Sequence, residues 1–159
     1  MKKYEFTGET KEIRLLFRTA TLHRIRATVA FGIVEVGDLG GWIEKEENLS
    51  HEGKAWVCGD AKVWGNAKVC GDAKVFSVSH VLVIGAIGSR NDFTTFYRDK
   101  DNEITVKCGC FLGKIDRFLE KVTQTHGDSK YALVYRAAVE VAKLQIDLSG
   151  EAPKDADEE

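Results

Sequence analysis

Proline is nearly absent from this sequence, which contains Pro153 alone against 15 glycines in 159 residues. Turns must therefore be made by glycine with aspartate or asparagine, so glycine positions mark the corners of the chain. No apolar run reaches the roughly 20 residues that a membrane-spanning helix needs. The polar, acidic start MKKYEFTGETKEIR also lacks the apolar stretch of a secretory signal. These absences exclude a membrane-spanning protein and predict a cytoplasmic one.

The net charge is small as well, at −2. Residues 1–30 hold seven basic and three acidic side chains, a net of +4, whereas the last nine residues hold five acidic side chains and one lysine, a net of −4. The basic excess is too small for the footprint of a nucleic-acid-binding protein, so we expect no nucleic-acid partner. We predict that residues 149–159 form a disordered acidic tail.

Four cysteines are present, but no Cys-x-x-Cys pair. A zinc ribbon or a thioredoxin-like motif is therefore unsupported. Cys108 and Cys110 lie on one side of a predicted strand, where the simplest interpretation is two small buried thiols. The alternative is a metal chelate completed by His126. We predict no metal site and no cofactor.

A short repeat occupies the middle of the chain. Residues 53–76 read GKAWVC, GDAKVW, GNAKVC and GDAKVF, four hexapeptides of the form Gly-(Asp/Asn/Lys)-Ala-x-Val-x. The two-residue period of a strand directs Ala and Val to one face and the residue between them to the other. The Gly-Asp and Gly-Asn pairs then turn a corner. We therefore predict very short strands with buried Ala55, Ala61, Ala67, Ala73, Val57, Val63, Val69 and Val75.

These hexapeptides resemble the hexapeptide-repeat family, and the C-terminal half resembles the end of phage and gut-bacterial hexapeptide proteins of unknown function. The resemblance implies a left-handed parallel β-helix with three hexapeptides, about 18 residues, to a coil. Degenerate repeats are expected over 31–88, preceded by N-terminal cap strands over 1–30. Because three coils are near the minimum for a stable solenoid, the ends need to be covered.

The repeat stops at Phe76, and the pattern then changes. Segments 92–99 and 103–111 alternate as two strands around a turn. Apolar residues at helical spacing follow over 113–127 and again over about 130–147. We therefore predict a small ββαα unit over 89–148. The predicted fold class is mainly β with α, a short left-handed parallel β-helix followed by this unit.

The junction between the two predicted units contains the best candidate for ligand contact. Arginine offers a planar, permanently charged fork to phosphate or carboxylate, and hydroxyl and amide groups fix orientation without charge. The predicted ligand-binding residues are Ser89, Arg90, Asn91, Thr94, Thr95 and Lys107. The alternative is that Arg90 pairs with Asp92 or Asp99 and joins the two units. If this loop is a bystander, the next candidates lie around His80, Cys110 and His126.

Outward-facing aromatic residues predict a subunit interface. The period of two places Trp56, Trp64 and Phe76 outwards, and His80 alternates to the outside as well. Exposed aromatic residues on a repeat face are typical of interfaces. We predict a homo-oligomer built through these four residues. The family resemblance favours a trimer first and a dimer next.

No Ser-His-Asp or Cys-His arrangement is marked out by spacing, so no catalytic residue is predicted. We expect a non-catalytic, oligomeric binding protein that sequesters a small phosphate-bearing, nucleotide-like ligand. The resemblance suggests a phage protein of counter-defence, whose ligand is a host immune signal or whose partner is a host protein. The alternative is a small acyltransferase-like enzyme of the hexapeptide class, with His51, His80 or His126 as the base.

Overall fold

The computed structural model describes residues 1–149. The chain begins with a long antiparallel hairpin of β1 (Tyr4–Arg14) and β2 (Thr19–Ala27). Near the start of β2, Ala20 and Leu22 are buried whereas Thr21 between them is exposed. This is the alternation of a strand with one face in the core.

The repeat segment forms strands of only two residues each. β3 (Leu39–Ile43) pairs antiparallel with β2 and parallel with β5 (Lys62–Val63), which gives a mixed sheet in the order β1-β2-β3-β5. β4 (Trp56–Val57) pairs parallel with β6 (Lys74–Val75) in a separate sheet.

The predicted left-handed parallel β-helix is wrong. Within residues 1–149, parallel pairing is confined to the β3–β5 and β4–β6 pairs, each two residue pairs long, and an isolated bridge between Leu49 and Val69, while the other strand pairs are antiparallel. The repeat determines which side chains are buried, but a two-residue strand offers too few backbone groups to determine its neighbours. The longer hairpins on either side set the sheets instead. The resemblance to the hexapeptide-repeat family, which implied the β-helix, fails with it.

The inward direction of the repeat residues is confirmed. Each of the eight Ala and Val side chains predicted to be buried is at most 3% exposed, and all of them belong to one hydrophobic core. The corners are confirmed too, because Gly59, Gly65 and Gly71 adopt positive φ angles between 56° and 65°.

The outward direction holds less well, because the N-terminal segment covers part of the repeat. Trp56 is buried, edge-on to Tyr4 at 6.4 Å and to Phe31 at 5.4 Å between ring centroids. The Lys3 ammonium donates to the Ala55 carbonyl at 2.8 Å, and burial, aided by the nearby Lys74, lowers the pKa of Lys3 to about 8. Trp56 therefore belongs to the core and not to a subunit surface.

His51 and His80, two of the candidate bases, make structural contacts in the N-terminal and repeat segments. The His51 ring stacks on Tyr4 at 4.2 Å, and its Nδ1 accepts the Lys3 backbone N–H at 3.0 Å. His80 was expected on the outside but is buried, and its Nδ1 accepts the Phe76 N–H at 3.1 Å. Burial lowers the pKa of His80. Of the four predicted interface residues, Trp64 is half-buried and Phe76 alone is exposed.

The C-terminal part is an antiparallel sheet with two helices. The predicted ββαα unit is confirmed in part, since the two predicted strands and both helices are present and two further strands complete the sheet in the order β10-β9-β8-β7. The elements are β7 (Val81–Ile87), β8 (Asp92–Arg98), β9 (Ile104–Cys108), β10 (Phe111–Lys114), α1 (Ile115–His126) and α2 (Lys130–Gln145).

This sheet separates two hydrophobic cores. Phe96 and Val106 face the helices and pack in one cluster with Phe118, whereas Tyr97 on the other face joins the core of the repeat. No helix in residues 1–149 is long and apolar enough to cross a membrane. Most of the predicted acidic tail, residues 150–159, lies outside the described residues.

Candidate functional site

A cavity of about 210 Å³ opens at one end of the helix-covered face of the antiparallel sheet. We call it the Arg90 cavity. The turn between β7 and β8, the turn between β9 and β10, and both helices form its walls. Its lining residues are Ser89, Arg90, Asp92, Cys108, Gly109, Cys110, Phe111, Phe118, Lys121, Val122, Thr125, His126 and Tyr135.

The cavity has more positive than negative charge. Arg90 comes from the β7–β8 turn and Lys121 from α1, against one carboxylate, that of Asp92. Among residues 1–149, Arg90 forms no ion pair, so the pairing with Asp92 or Asp99 considered from the sequence is not made. Asp99 instead accepts the Thr105 hydroxyl at 2.7 Å and lies 3.6 Å from the Lys114 ammonium. The Arg90 guanidinium is therefore available to an anion.

Aromatic rings make up much of the remaining wall. Phe118 meets Tyr135 edge-on, with ring centroids 5.7 Å apart, and lies 5.5 Å from Phe111. The His126 ring also stacks on Tyr135, with ring centroids 5.7 Å apart. Because Tyr135 is buried and contacts both Phe118 and His126, its hydroxyl has a defined position at the cavity. Such a wall offers both apolar surface and π faces to a flat ligand.

A small polar network lies at the base of the cavity. Buried Thr94 on β8 donates its hydroxyl to the Cys108 sulfur on β9 at 3.4 Å. Burial raises the pKa of the Tyr135 hydroxyl, and the Cys108 thiol and the Asp92 carboxylate act in the same direction, while Arg90 opposes them. Cys108, Asp92 and Arg90 therefore all act electrostatically on the Tyr135 hydroxyl.

The structure brings together only part of the predicted ligand-binding set. Ser89 and Arg90 line the cavity, and Thr94 lies beneath it through Cys108. Asn91 is exposed in the turn with a φ of 49° and does not line the cavity. Of the six predicted ligand-binding residues, Ser89 and Arg90 therefore line this cavity.

Thr95 and Lys107 lie on the opposite face of the sheet. The two residues pair across β8 and β9, as Thr94 and Cys108 do, and neighbouring positions on a strand point to opposite faces. Thr95 accepts the backbone N–H of Lys68 at 3.1 Å, and with Lys107 it lines a separate recess of about 80 Å³. The sequence predicted that the strands now called β8 and β9 pair, but not which residues face each other. Lys107 was therefore expected on the same side as Arg90.

Apart from His126, sequence reasoning missed the residues that the helices contribute to this cavity. Lys121 and Thr125 are four residues apart on α1, as are Val122 and His126, so a helix presents each pair on one side. That spacing was visible in the sequence. What the sequence did not show is that this side of α1 faces the β7–β8 turn.

The thiols at the cavity form no metal centre with their neighbours. No group of three or more His, Cys, Asp or Glu side chains in residues 1–149 is arranged to hold a metal ion. Cys108, Cys110 and His126 therefore do not form the chelate that the sequence offered as an alternative. Cys108 is half-buried and Cys110 is exposed, and both are free thiols.

The comparisons with known proteins assign this chain to no group. No protein-family model matches the sequence, and no curated protein matches it.

Proposed function

We propose that this protein binds a small phosphate-bearing, nucleotide-like ligand in the Arg90 cavity and holds it without chemical change. The observation that supports this most is the Arg90 guanidinium, which has no ion-pair partner in residues 1–149 and borders an aromatic-lined cavity. A guanidinium is always charged and matches the geometry of a phosphate with two parallel hydrogen bonds. Lys121 adds a second positive charge, and the Ser89 and Thr125 hydroxyls add neutral donors.

The shape of the cavity limits the size of the ligand. Cavities for drug-sized ligands measure about 300–1,000 Å³, and this one is smaller, at about 210 Å³. It therefore suits one mononucleotide unit, with the phosphate at Arg90 and a flat ring against Phe118 and Tyr135. A cyclic dinucleotide, the kind of molecule that serves as a host immune signal, would place one of its two units there.

The cysteines support an intracellular ligand. Cys58, Cys70, Cys108 and Cys110 are free thiols, and burial raises the pKa of Cys58 to about 11, which keeps that thiol protonated and unreactive. Free thiols persist in reducing compartments, where nucleotides are abundant. We therefore place the protein in the cytoplasm as part of the same proposal.

Replacement of Arg90 by Ala is expected to weaken ligand binding by about tenfold to a hundredfold. This range corresponds to the loss of a hydrogen bond to a charged group, about 1.5–3 kcal/mol. The melting temperature should stay near that of the wild type, because Arg90 is exposed and forms no ion pair in the described part of the chain. Titration calorimetry with AMP, GMP, adenosine, inorganic phosphate and a cyclic dinucleotide measures the affinity.

Two matched variants make this test specific. Arg117→Ala removes an exposed arginine of α1 that does not line the cavity, and Lys107→Ala removes the lysine on the opposite face of the sheet. Both should bind like the wild type. If Arg90→Ala also binds like the wild type, or if no phosphate compound binds, the proposal is wrong.

A mass-spectrometric experiment separates binding from catalysis. The bound compound is incubated with the protein, the protein is denatured, and the mass of the released compound is measured. Recovery of the same mass supports a binding protein, whereas a changed mass after incubation shows an enzyme.

A further inference from the structure

The β1–β2 hairpin ends in an apolar tip. Leu16 and Phe17 are 88% and 94% exposed, at the turn between Leu15 and Arg18. The Leu15 N–H donates to the Arg18 carbonyl at 2.8 Å, so the turn is closed and holds both side chains outwards. Single exposed apolar residues are ordinary, but two adjacent ones at almost full exposure in one hairpin turn indicate a surface that contacts a partner. We call Leu16 and Phe17 the tip.

An apolar cavity of similar character lies beside Trp64. It measures about 210 Å³, and β5, β7 and Val78 contribute to its wall. Trp64, Val81 and Val83 are half-buried, and Val78 is 49% exposed at the rim. Lys62 is the one charged residue among the described residues that line it. We call it the Trp64 cavity, and its chemistry fits an apolar occupant.

The Glu44 carboxylate connects the tip to this cavity. Both oxygens of Glu44 accept hydrogen bonds from the Arg18 guanidinium at the base of the tip, and these bonds lower the pKa of Glu44. One of the same oxygens accepts the Gly65 N–H at 2.7 Å, directly after Trp64 in the chain. The tip and the cavity therefore lie side by side on one molecule. The tip does not fill the cavity of its own chain, because Leu16 and Phe17 remain exposed.

We propose that two copies of this chain form a reciprocal dimer, in which the tip of each copy enters the Trp64 cavity of the other. A two-fold interface is self-complementary, since residue i of one copy contacts residue j of the other and the reverse holds as well. The tip and the Trp64 cavity are complementary and adjacent on one surface. A single two-fold rotation can therefore bring the tip of each copy to the cavity of the other at the same time. A second copy is therefore the occupant that uses both features. This inference is independent of the ligand at the Arg90 cavity.

The first test removes the tip. Sedimentation velocity should show the wild type as a dimer of twice 17.7 kDa and the Leu16→Ser/Phe17→Ser double variant as a monomer at the same concentration. The variant should fold normally, because both side chains are exposed, and its melting curve checks this. The matched control is Leu133→Ser near the start of α2, where the leucine is 59% exposed and does not line the Trp64 cavity. The control should remain a dimer.

The second test asks whether the contact is reciprocal. Val78→Asp places a carboxylate at the rim of the Trp64 cavity and should also give a folded monomer. Mixed together, the tip variant and the Val78→Asp variant should form a heterodimer, because one intact tip then meets one intact cavity. A wild-type monomer at the highest soluble concentration would overturn the proposal. So would a dimer that survives Val78→Asp, which indicates tip-to-tip contact, or a mixture that contains only monomers.

Discussion

Replacement of Val63 by Asp is expected to prevent this protein from folding at 25 °C. Val63 is 2% exposed and belongs to the core that joins the repeat to the N-terminal hairpin. The variant loses about 1.5–3 kcal/mol of apolar burial and must also bury a carboxylate or keep it protonated, at a cost of several kcal/mol. Domains of this size are stable by about 5–15 kcal/mol in total. The loss therefore approaches the whole stability.

Urea unfolding followed by circular dichroism measures this effect. The matched control is Val36→Asp, since Val36 is 67% exposed and surface substitutions cost about 0.5 kcal/mol or less. The control should unfold at nearly the wild-type urea concentration. A Val63→Asp protein that unfolds like the control would show that the Val positions of the repeat do not form the core.

Replacement of Gly88 by Ala is expected to abolish ligand binding in the Arg90 cavity. A β-carbon at residue 88 would lie 1.9 Å from the Tyr135 hydroxyl oxygen and 2.4 Å from the ring carbon that carries it, far inside contact distance. Tyr135 cannot move away easily, because it is buried and packed against both Phe118 and His126. The turn that holds Ser89 and Arg90 must shift instead, and the cavity loses its shape.

The backbone adds a second cost at this position. Gly88 has a φ of 77°, where a residue with a β-carbon is strained by about 1–2 kcal/mol. Overpacking typically adds about 1–3 kcal/mol. Gly59→Ala separates the two costs, because Gly59 has a φ of 56° but nothing within 4 Å of an added β-carbon. It should be destabilised by the backbone cost alone and bind normally.

Calorimetry and melting curves of the two variants decide this prediction. Gly88→Ala should melt at a lower temperature than Gly59→Ala and show no measurable heat of binding with a compound that binds the wild type. Equal melting temperatures together with wild-type affinity would show that the contact between Gly88 and Tyr135 does not shape the site.

The sequence was sufficient to predict those parts of the fold that depend on a local pattern of residues. The Ala-x-Val units determine which face is buried, and Gly59, Gly65 and Gly71 determine the corners, because both depend on residues within six positions of each other. The two C-terminal helices follow from apolar spacing in the same way.

The sequence was insufficient to predict those parts of the fold that depend on contacts between distant segments of the chain. Strand partners depend on long-range pairing, so the repeat alone led to a β-helix that the structure does not contain. Trp56 is buried because residues some fifty positions earlier cover it, among them Tyr4. Lys107 was assigned to the wrong face because a shift of one residue in register reverses every side chain of a strand.

The candidate site shows both situations. Arg90 and Ser89 were found from the chemistry of one short turn, whereas Lys121 and Tyr135 belong to helices that reach the turn only in the folded chain. The recess at Lys107 and the Arg90 cavity share Asp92 and Gly109, but Lys107 and Thr95 lie on the opposite face of the sheet from Cys108 and Thr94. An experiment can therefore distinguish the two places directly.

A titration of isotope-labelled protein with AMP, followed by backbone amide NMR, tests the central claim most directly. The largest shift changes are expected at Ser89, Cys110 and Thr125, which line the Arg90 cavity on three different elements and do not line the recess at Lys107. Amides of Lys68 and Lys107 at the opposite recess should move little. Shift changes centred on Lys68 and Lys107, or none up to millimolar AMP and cyclic dinucleotide, would contradict a nucleotide site at Arg90.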